Sequence, residues 1–77
     1  MPKLVLISGK KLCKLLERLG FVSIQGKGSH IRFKHQDGRR TVVPVHANED
    51  IGKGLLKAIL NQINLTVEKY DQLRFEV

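Results

Sequence analysis

The stretch GKGSHIRF, residues 26–33, decides the fold that this sequence predicts. Its first three residues indicate a basic turn, because glycine accepts the backbone conformations that turns require. The alternation that follows is typical of a strand with one apolar and one polar side. The apolar side carries Ile31 and Phe33, and the polar side carries His30, Arg32 and Lys34. The sequence therefore predicts a hairpin whose second strand begins with an exposed histidine.

A helix is predicted before this stretch, over residues 9–19. Leucines recur there with the spacing of an amphipathic helix, at Leu12, Leu15, Leu16 and Leu19. We expect Ser8 to be its N-cap and Gly20 to end it in the left-handed conformation. A first strand is expected over residues 21–25, which are rich in aromatic and β-branched side chains.

The second hairpin is predicted from Asp37-Gly38, a strong turn signal, and a third strand is expected over residues 41–45. Pro44 cannot donate to a ladder, so this strand is predicted at the sheet edge. Two registers fit: a two-residue loop places Ser29 opposite His46, and a three-residue loop places His30 opposite His46. The second register pairs more apolar surface and is preferred.

Helical spacing returns over residues 52–63, through Leu55, Leu56, Ile59, Leu60 and Ile63. Asn64 is expected to close this helix, and Thr66 to cap a short third helix. The chain is therefore predicted to be a single α+β domain, residues 1–77. It should have three antiparallel strands, with both long helices on one sheet face. This α-β-β-β-α order is that of the double-stranded-RNA-binding fold, which leaves the other sheet face open.

The positive charge is concentrated in one part of the chain. Residues 1–46 carry ten basic and two acidic side chains, and residues 47–77 carry four basic and five acidic ones. Such asymmetry indicates a polyanionic partner, either nucleic acid or a membrane surface. The alternative is a basic protein that is merely soluble. No stretch has the length of a signal peptide or a membrane span, so we expect a cytoplasmic protein.

His30 is the candidate for chemistry, because imidazole gains and loses protons near neutral pH and therefore suits proton transfer. A surface histidine in a basic strand is the commoner explanation for an isolated His. The neighbouring turn offers the Lys27 ammonium and the Gly28 backbone to a phosphate, although a plain hairpin turn fits the same residues.

No metal site is predicted. His30 and His35 point to opposite sides of one strand, and no acidic residues cluster with them. Glu49 and Asp50 are interpreted as N-terminal capping of the second long helix. The single cysteine, Cys13, excludes an internal disulfide and a cysteine-based zinc site.

Four segments together resemble the HicA toxins of HicAB toxin–antitoxin systems. They are GKGSHIRF, RRTVVPVH at residues 39–46, GKGLLKAIL at residues 52–60 and NLTVEKY at residues 64–70. The resemblance extends from Ser8 to about Leu73. It departs from the family pattern at Lys11, where an acid is common, and at Ile63-Asn64, where alanine-glycine is usual.

The resemblance implies a small ribonuclease that cleaves mRNA, arrests growth and is neutralised by a HicB antitoxin. It implies a catalytic His30, and the expected mechanism needs no metal or other cofactor. The phosphate would be held by Lys27, Gly28, Ser29, Arg32 and Lys34, and His46 is a candidate second acid or base. Two alternatives remain: a double-stranded-RNA-binding module without chemistry, and an interaction domain whose basic face docks an acidic protein.

Overall fold

The computed structural model describes residues 3–47 and 49–77, and for residues 25–27 it describes the backbone alone. It confirms the predicted α+β order, with three antiparallel strands in an open sheet. The elements are α1 (Gly9–Arg18), β1 (Val22–Lys27), β2 (His30–Lys34), β3 (Arg40–Pro44), α2 (Lys53–Gln62) and α3 (Val67–Arg74). The strands lie in the order β1-β2-β3, so β3 is an edge strand that tolerates Pro44, as predicted.

Helix α1 begins and ends as the sequence predicts. The Ser8 hydroxyl accepts a hydrogen bond from the Lys11 backbone N–H at 3.2 Å, which satisfies one of the free N–H groups of the first turn. At the other end Gly20 has φ +94, and the Phe21 N–H donates to the Leu16 carbonyl at 3.0 Å. This is the Schellman arrangement that a left-handed glycine permits.

The first hairpin turns later than predicted. Strand β1 runs on to Lys27, and the turn consists of Gly28 and Ser29 alone. Ile24 pairs with Arg32, but Lys27 pairs with His30, so two residues of β1 lie opposite one residue of β2. The expectation that residues 26–28 form the turn is therefore wrong. The first glycine of the stretch lies in a β-bulge, and only Gly28, with φ +60, makes the turn.

The second hairpin rules out both predicted registers. His30 pairs with Pro44 and Lys34 with Arg40, and the His35 N–H donates to the Arg39 carbonyl at 2.9 Å. The loop that joins His35 to Arg39 has three residues, as the preferred register requires, but these three are residues 36–38. Gly38, with φ +101, occupies its last position, where such loops need a left-handed residue. The preferred register required Gly38 at the middle position of the loop. This difference of one loop position shifts the strand pairing by two residues.

The core lies between the helices and the inner face of the sheet. Its sheet side is formed by Phe33, Thr41 and Val43, and the predicted helix residues Leu12, Leu15, Leu16, Leu56, Ile59 and Leu60 are all buried against it. Phe21 is buried in the core, and the following residue, Val22, is 67% exposed. Leu19 and Ile31 are half-buried at its edge.

The C-terminal part packs against α1 and the N-terminal segment, where it closes the core. Asn64 has φ 55 at the end of α2, and the Thr66 hydroxyl accepts a hydrogen bond from the Lys69 N–H, as the sequence predicts. Tyr70 of α3 is buried and donates its hydroxyl to the Val5 carbonyl. Burial raises the pKa of Tyr70 to about 12.

The predicted capping of α2 by Glu49 and Asp50 is wrong. Gly52 is the N-cap, and the first turn of α2 contains no acidic residue. Asp50 instead forms a bridge with Ser8, and the Ile51 N–H donates to the Ile7 carbonyl at 2.9 Å. Within residues 3–47 and 49–77, no helix is long and apolar enough to cross a membrane.

Candidate nucleic-acid interface

Three rows of cross-strand neighbours cover the outer face of the sheet. Side chains alternate along a strand, so the positions between the buried Phe33, Thr41 and Val43 point away from the core. The pairing gives the rows Val22–Lys34–Arg40, Ile24–Arg32–Val42 and His30–Pro44. We call this surface the outer face. It brings the predicted residues His30, Arg32 and Lys34 together.

His30 is exposed at the first position of β2, directly after the turn. Its strand is fixed on both sides, because it pairs with Lys27 and with Pro44, and the Ser29 carbonyl accepts a hydrogen bond from the Val45 N–H at 2.6 Å. Among the described residues, none makes a hydrogen bond or an ion pair with the imidazole. The ring therefore stands on a strand that is paired on both sides, and no described residue occupies either of its nitrogens.

The turn beside His30 exposes backbone rather than side chains. A Cβ added to Gly28 would meet nothing within 4 Å, so the glycine is required by its positive φ and not by a close neighbour. Its peptide group is accessible to a ligand, and Ser29 is half-buried beside it. The side chain of Lys27 lies outside the described residues, so its predicted phosphate contact stays a prediction.

Arg32 and Lys34 are exposed on the outer face, as predicted, and Arg40 lies beside them. Lys34 and Arg40 are direct cross-strand partners, an arrangement of like charges that destabilises a strand pair. A bound polyanion would remove this repulsion. Sequence reasoning missed Arg40, although the alternation from Arg40 through Val42 to Pro44 carried the signal once the register was known.

These cations differ from the other arginines in their partners. Arg18, Arg39 and Arg74 each contact a carboxylate, at 2.9, 2.8 and 2.7 Å respectively. In the part of the chain that the structure describes, neither Arg32 nor Arg40 makes an ion pair. The outer face therefore holds the arginines whose charge is available to a ligand.

His46 does not face His30, and this part of the sequence interpretation is wrong. The residue opposite His30 is Pro44, and β3 ends there, two residues before His46. His46 is exposed in the following turn, where its carbonyl accepts a hydrogen bond from the Glu49 N–H at 3.2 Å. The ladder therefore does not hold the two imidazoles side by side.

His35 belongs to a different cluster, on the opposite side of its strand from His30, as predicted. Its ring packs edge-on against Phe21 with centroids 5.0 Å apart, and its Nδ1 lies 3.0 Å from Asp37 Oδ1. Arg39 covers the same Phe21 ring and donates to the Ile63 carbonyl at 2.5 Å. The cluster ties the second hairpin to α1 and α2, which is a structural role.

The remaining titratable groups do not add to the outer face. The Asp37 carboxylate accepts a hydrogen bond from the Arg39 backbone N–H, and this holds the pKa of Asp37 below its ordinary value. Burial, together with the nearby Glu17, raises the pKa of the Cys13 thiol to about 11. Across the described ranges, no three His, Cys, Asp or Glu side chains are grouped as metal ligands.

The comparisons with known proteins identify the family of this chain. No curated protein matches the chain. A family model described as the HicA toxin of bacterial toxin–antitoxin systems matches residues 9–65 of the 77 residues. The matched region runs from the start of α1 past the end of α2 and contains the whole outer face. Because the match covers most of the chain, the protein belongs to the HicA toxin family.

Proposed function

We propose that this toxin is an endoribonuclease that cleaves mRNA and uses His30 as its general base. One observation supports the proposal most strongly: an exposed imidazole stands on the same face as Arg32 and Arg40, and none of the three side chains has a partner among the described residues. A base and a phosphate-binding surface at one place are what phosphodiester cleavage requires.

The reaction is a transesterification followed by release. His30 removes the proton from a ribose 2′-OH, and the 2′ oxygen attacks the adjacent phosphorus. The bond from phosphorus to the 5′ oxygen breaks, which leaves a 2′,3′-cyclic phosphate on one fragment. The 5′ oxygen takes a proton from water and leaves as a 5′-OH. Every proton transfer is made by a side chain or by water, so the proposed reaction needs no metal ion.

The phosphate is held by the outer face in this proposal. Arg32 and Lys34 follow His30 at alternate positions of one strand, so their charges lie along the path of an RNA backbone. The Gly28 peptide is proposed to contact the phosphate from the turn, with Ser29 next to it, and Lys27, the strand partner of His30, is proposed as a further phosphate-binding cation. One base and a cationic surface correspond to a modest catalyst, since general acid–base help contributes ~10²–10⁴ in rate.

His46 is the second candidate acid. It lies two residues beyond the strand partner of His30, so it would have to reach the leaving oxygen across the turn. We assign this proton to water, and the His46→Ala variant tests the assignment. A cleavage rate and a pH profile equal to those of the parent are expected for this variant.

The antitoxin is proposed to be an acidic protein of the HicB type that covers the outer face in the cytoplasm. A basic enzyme that attacks cellular RNA must be kept inactive, and an acidic surface competing for the same cations does this. The open sheet of a double-stranded-RNA-binding-like fold also fits a module that binds RNA without cleaving it. The experiment below separates the two functions.

The proposal is tested by incubating the purified protein with a long RNA in the presence of EDTA. We expect fragments that carry 2′,3′-cyclic phosphate and 5′-OH ends. An RNA with 2′-deoxy sugars at the cleaved positions should bind and stay intact, because it lacks the attacking oxygen. Binding without cleavage of the all-ribose RNA would favour the non-catalytic module, and cleavage of the deoxy substrate would contradict the mechanism.

A further inference from the structure

An open groove of about 750 Å³ lies between the outer face and α2, displaced from His30 toward the other end of β2. Its floor is aliphatic: Ile24 is 46%, Val42 41% and Leu55 44% exposed. Its remaining exposed side chains are the amide of Gln62 and the cations Arg32, Lys34 and Arg40. Arg32 lies between Ile24 and Val42 in the sheet, so apolar and cationic side chains alternate across the groove. Exposed apolar side chains grouped with charge are typical of an interaction site, unlike single exposed apolar residues.

The groove is rigid and joined to the core. Leu55 stands on α2, whose neighbouring residues Leu56 and Ile59 are buried. The end of the same helix is tied to β3, because the Thr41 hydroxyl and the Gln62 side-chain oxygen lie 2.7 Å apart in a hydrogen bond. The floor therefore persists without a ligand, and a partner finds it already formed.

The chemistry of the groove favours a polypeptide over RNA. Nucleic-acid bases bind protein surfaces by stacking on aromatic rings or guanidinium planes and by hydrogen bonds to their edges. The groove has guanidinium planes at Arg32 and Arg40, but its aromatic lining residue, Phe33, is buried, and its exposed aliphatic side chains are covered best by an apolar helix face. The surrounding cations have no carboxylate partner among the described residues, so the complementary partner surface is acidic.

We propose that this groove docks one acidic amphipathic helix of a partner protein. The dimensions agree: strands lie about 4.8 Å apart, so the three-stranded face is ~10 Å wide between its outer strands. An α-helix with its side chains is ~10–12 Å across. One helix therefore fills the face, with its apolar stripe on the floor residues and carboxylates toward Arg32, Lys34 and Arg40.

Such a helix would also control the RNA site. Strand β2 places Lys34 four residues from His30, which is about 13 Å. A helix covers that distance in about nine residues. A helix seated along β2 therefore occupies Arg32 and reaches the imidazole at its far end. This step rests on the proposed ribonuclease function. In that case the partner is the antitoxin, and the groove that binds its helix is separate from His30.

The test is a double variant of the floor, Val42→Thr with Leu55→Gln, which leaves His30 and all the cations in place. The cognate antitoxin is the probe, and its affinity is measured by calorimetry beside the RNA cleavage rate. Phe75→Ser is the matched control, because Phe75 is 74% exposed on the C-terminal side of α3. We expect at least a tenfold loss of antitoxin affinity with unchanged cleavage for the double variant, and no loss for the control.

Three results would contradict the proposal that this groove docks a helix. The first is unchanged antitoxin affinity of the double variant. The second is a fall in RNA affinity with unchanged antitoxin affinity, which would mean that RNA lies on the floor. The third comes from methyl NMR of the complex, if the Val42 and Leu55 methyl groups contact no helical segment of the antitoxin. Ile24→Thr repeats the affinity test if the double variant unfolds. A parent protein that cleaves no RNA would refute the proposed function, and the antitoxin measurements would still decide the groove.

Discussion

Replacing Gly9 and replacing Gly54 by alanine should have opposite effects on stability, although both glycines lie in the first turn of a helix. A Cβ added to Gly9 would lie 2.2 Å from the Pro44 carbonyl oxygen and 3.1 Å from the Val45 Cα, so α1 and β3 must move apart. A Cβ added to Gly54 would meet nothing within 4 Å. The absence of a side chain is therefore necessary at the first position and only costly at the second.

The expected magnitudes follow from two opposed effects. Alanine favours a helix over glycine by ~0.5–1 kcal/mol, and this gain applies at both positions. Overpacking costs ~1–3 kcal/mol, and at Gly9 the obstacle is backbone, which cannot rotate away. Gly9→Ala should therefore lower the free energy of unfolding by about 1–2 kcal/mol, while Gly54→Ala should raise it by about 0.5–1 kcal/mol.

Urea denaturation measures both changes, in a His30→Ala background that permits expression. The transition midpoints should move in opposite directions with an unchanged slope. For a domain of this size each kcal/mol corresponds to a shift of ~4–8 °C in Tm. A Gly9→Ala protein as stable as its parent would refute the close contact between α1 and the end of β3, next to the strand partner of His30.

Two further predictions concern pH and salt. The pKa of Tyr70 is raised from 10.0 to about 12, so folding favours its neutral form, and the stability this provides is present below pH 10 and lost as pH rises toward 12. Tyr70→Phe should therefore lose less stability than the parent between pH 10 and 12 in urea titrations, and an equal loss would contradict this role. The Lys27→Ala, Arg32→Ala double variant should flatten the slope of log affinity for single-stranded RNA against log salt by about 1.4, since each phosphate contact contributes ~0.7. An unchanged slope would mean that the RNA lies elsewhere.

The helices could be predicted closely from the sequence, because their signals are local. Ser8, Gly20, Asn64 and Thr66 each act on a backbone group within a few residues, and all of them lie where the pattern indicates. The alternation along β2 likewise placed His30, Arg32 and Lys34 on one face.

The strand registers could not be predicted, because they depend on which glycine makes each turn. In GKG the first glycine lies in a bulge and only Gly28 turns the chain, a choice that the pairing with β2 decides. In the second hairpin the position of Gly38 within the loop decides the register. The observed register differs from the preferred one by two residues. This difference separates His46 from His30, and it is the reason that Arg40 was not predicted beside Lys34.

The groove could not be predicted from the sequence either, for a different reason. Leu55 was predicted only as part of the apolar stripe of α2, yet it is 44% exposed and lies beside Val42 of β3. Which side of an apolar stripe faces the core and which lines a groove depends on how the helix packs against the strand edge. That packing is a tertiary property, and the helical period does not contain it.

The cleavage rate of the His30→Ala variant decides whether His30 does the chemistry. The rate at which bound RNA is cleaved should be measured under single-turnover conditions with EDTA, together with the affinity for the same RNA. The His46→Ala variant should be measured in the same way. If His30 is the general base, the rate should fall by ~10²–10⁴ in His30→Ala with nearly unchanged affinity, and His46→Ala should keep the parent rate. A His30→Ala protein that cleaves at the parent rate would contradict this role.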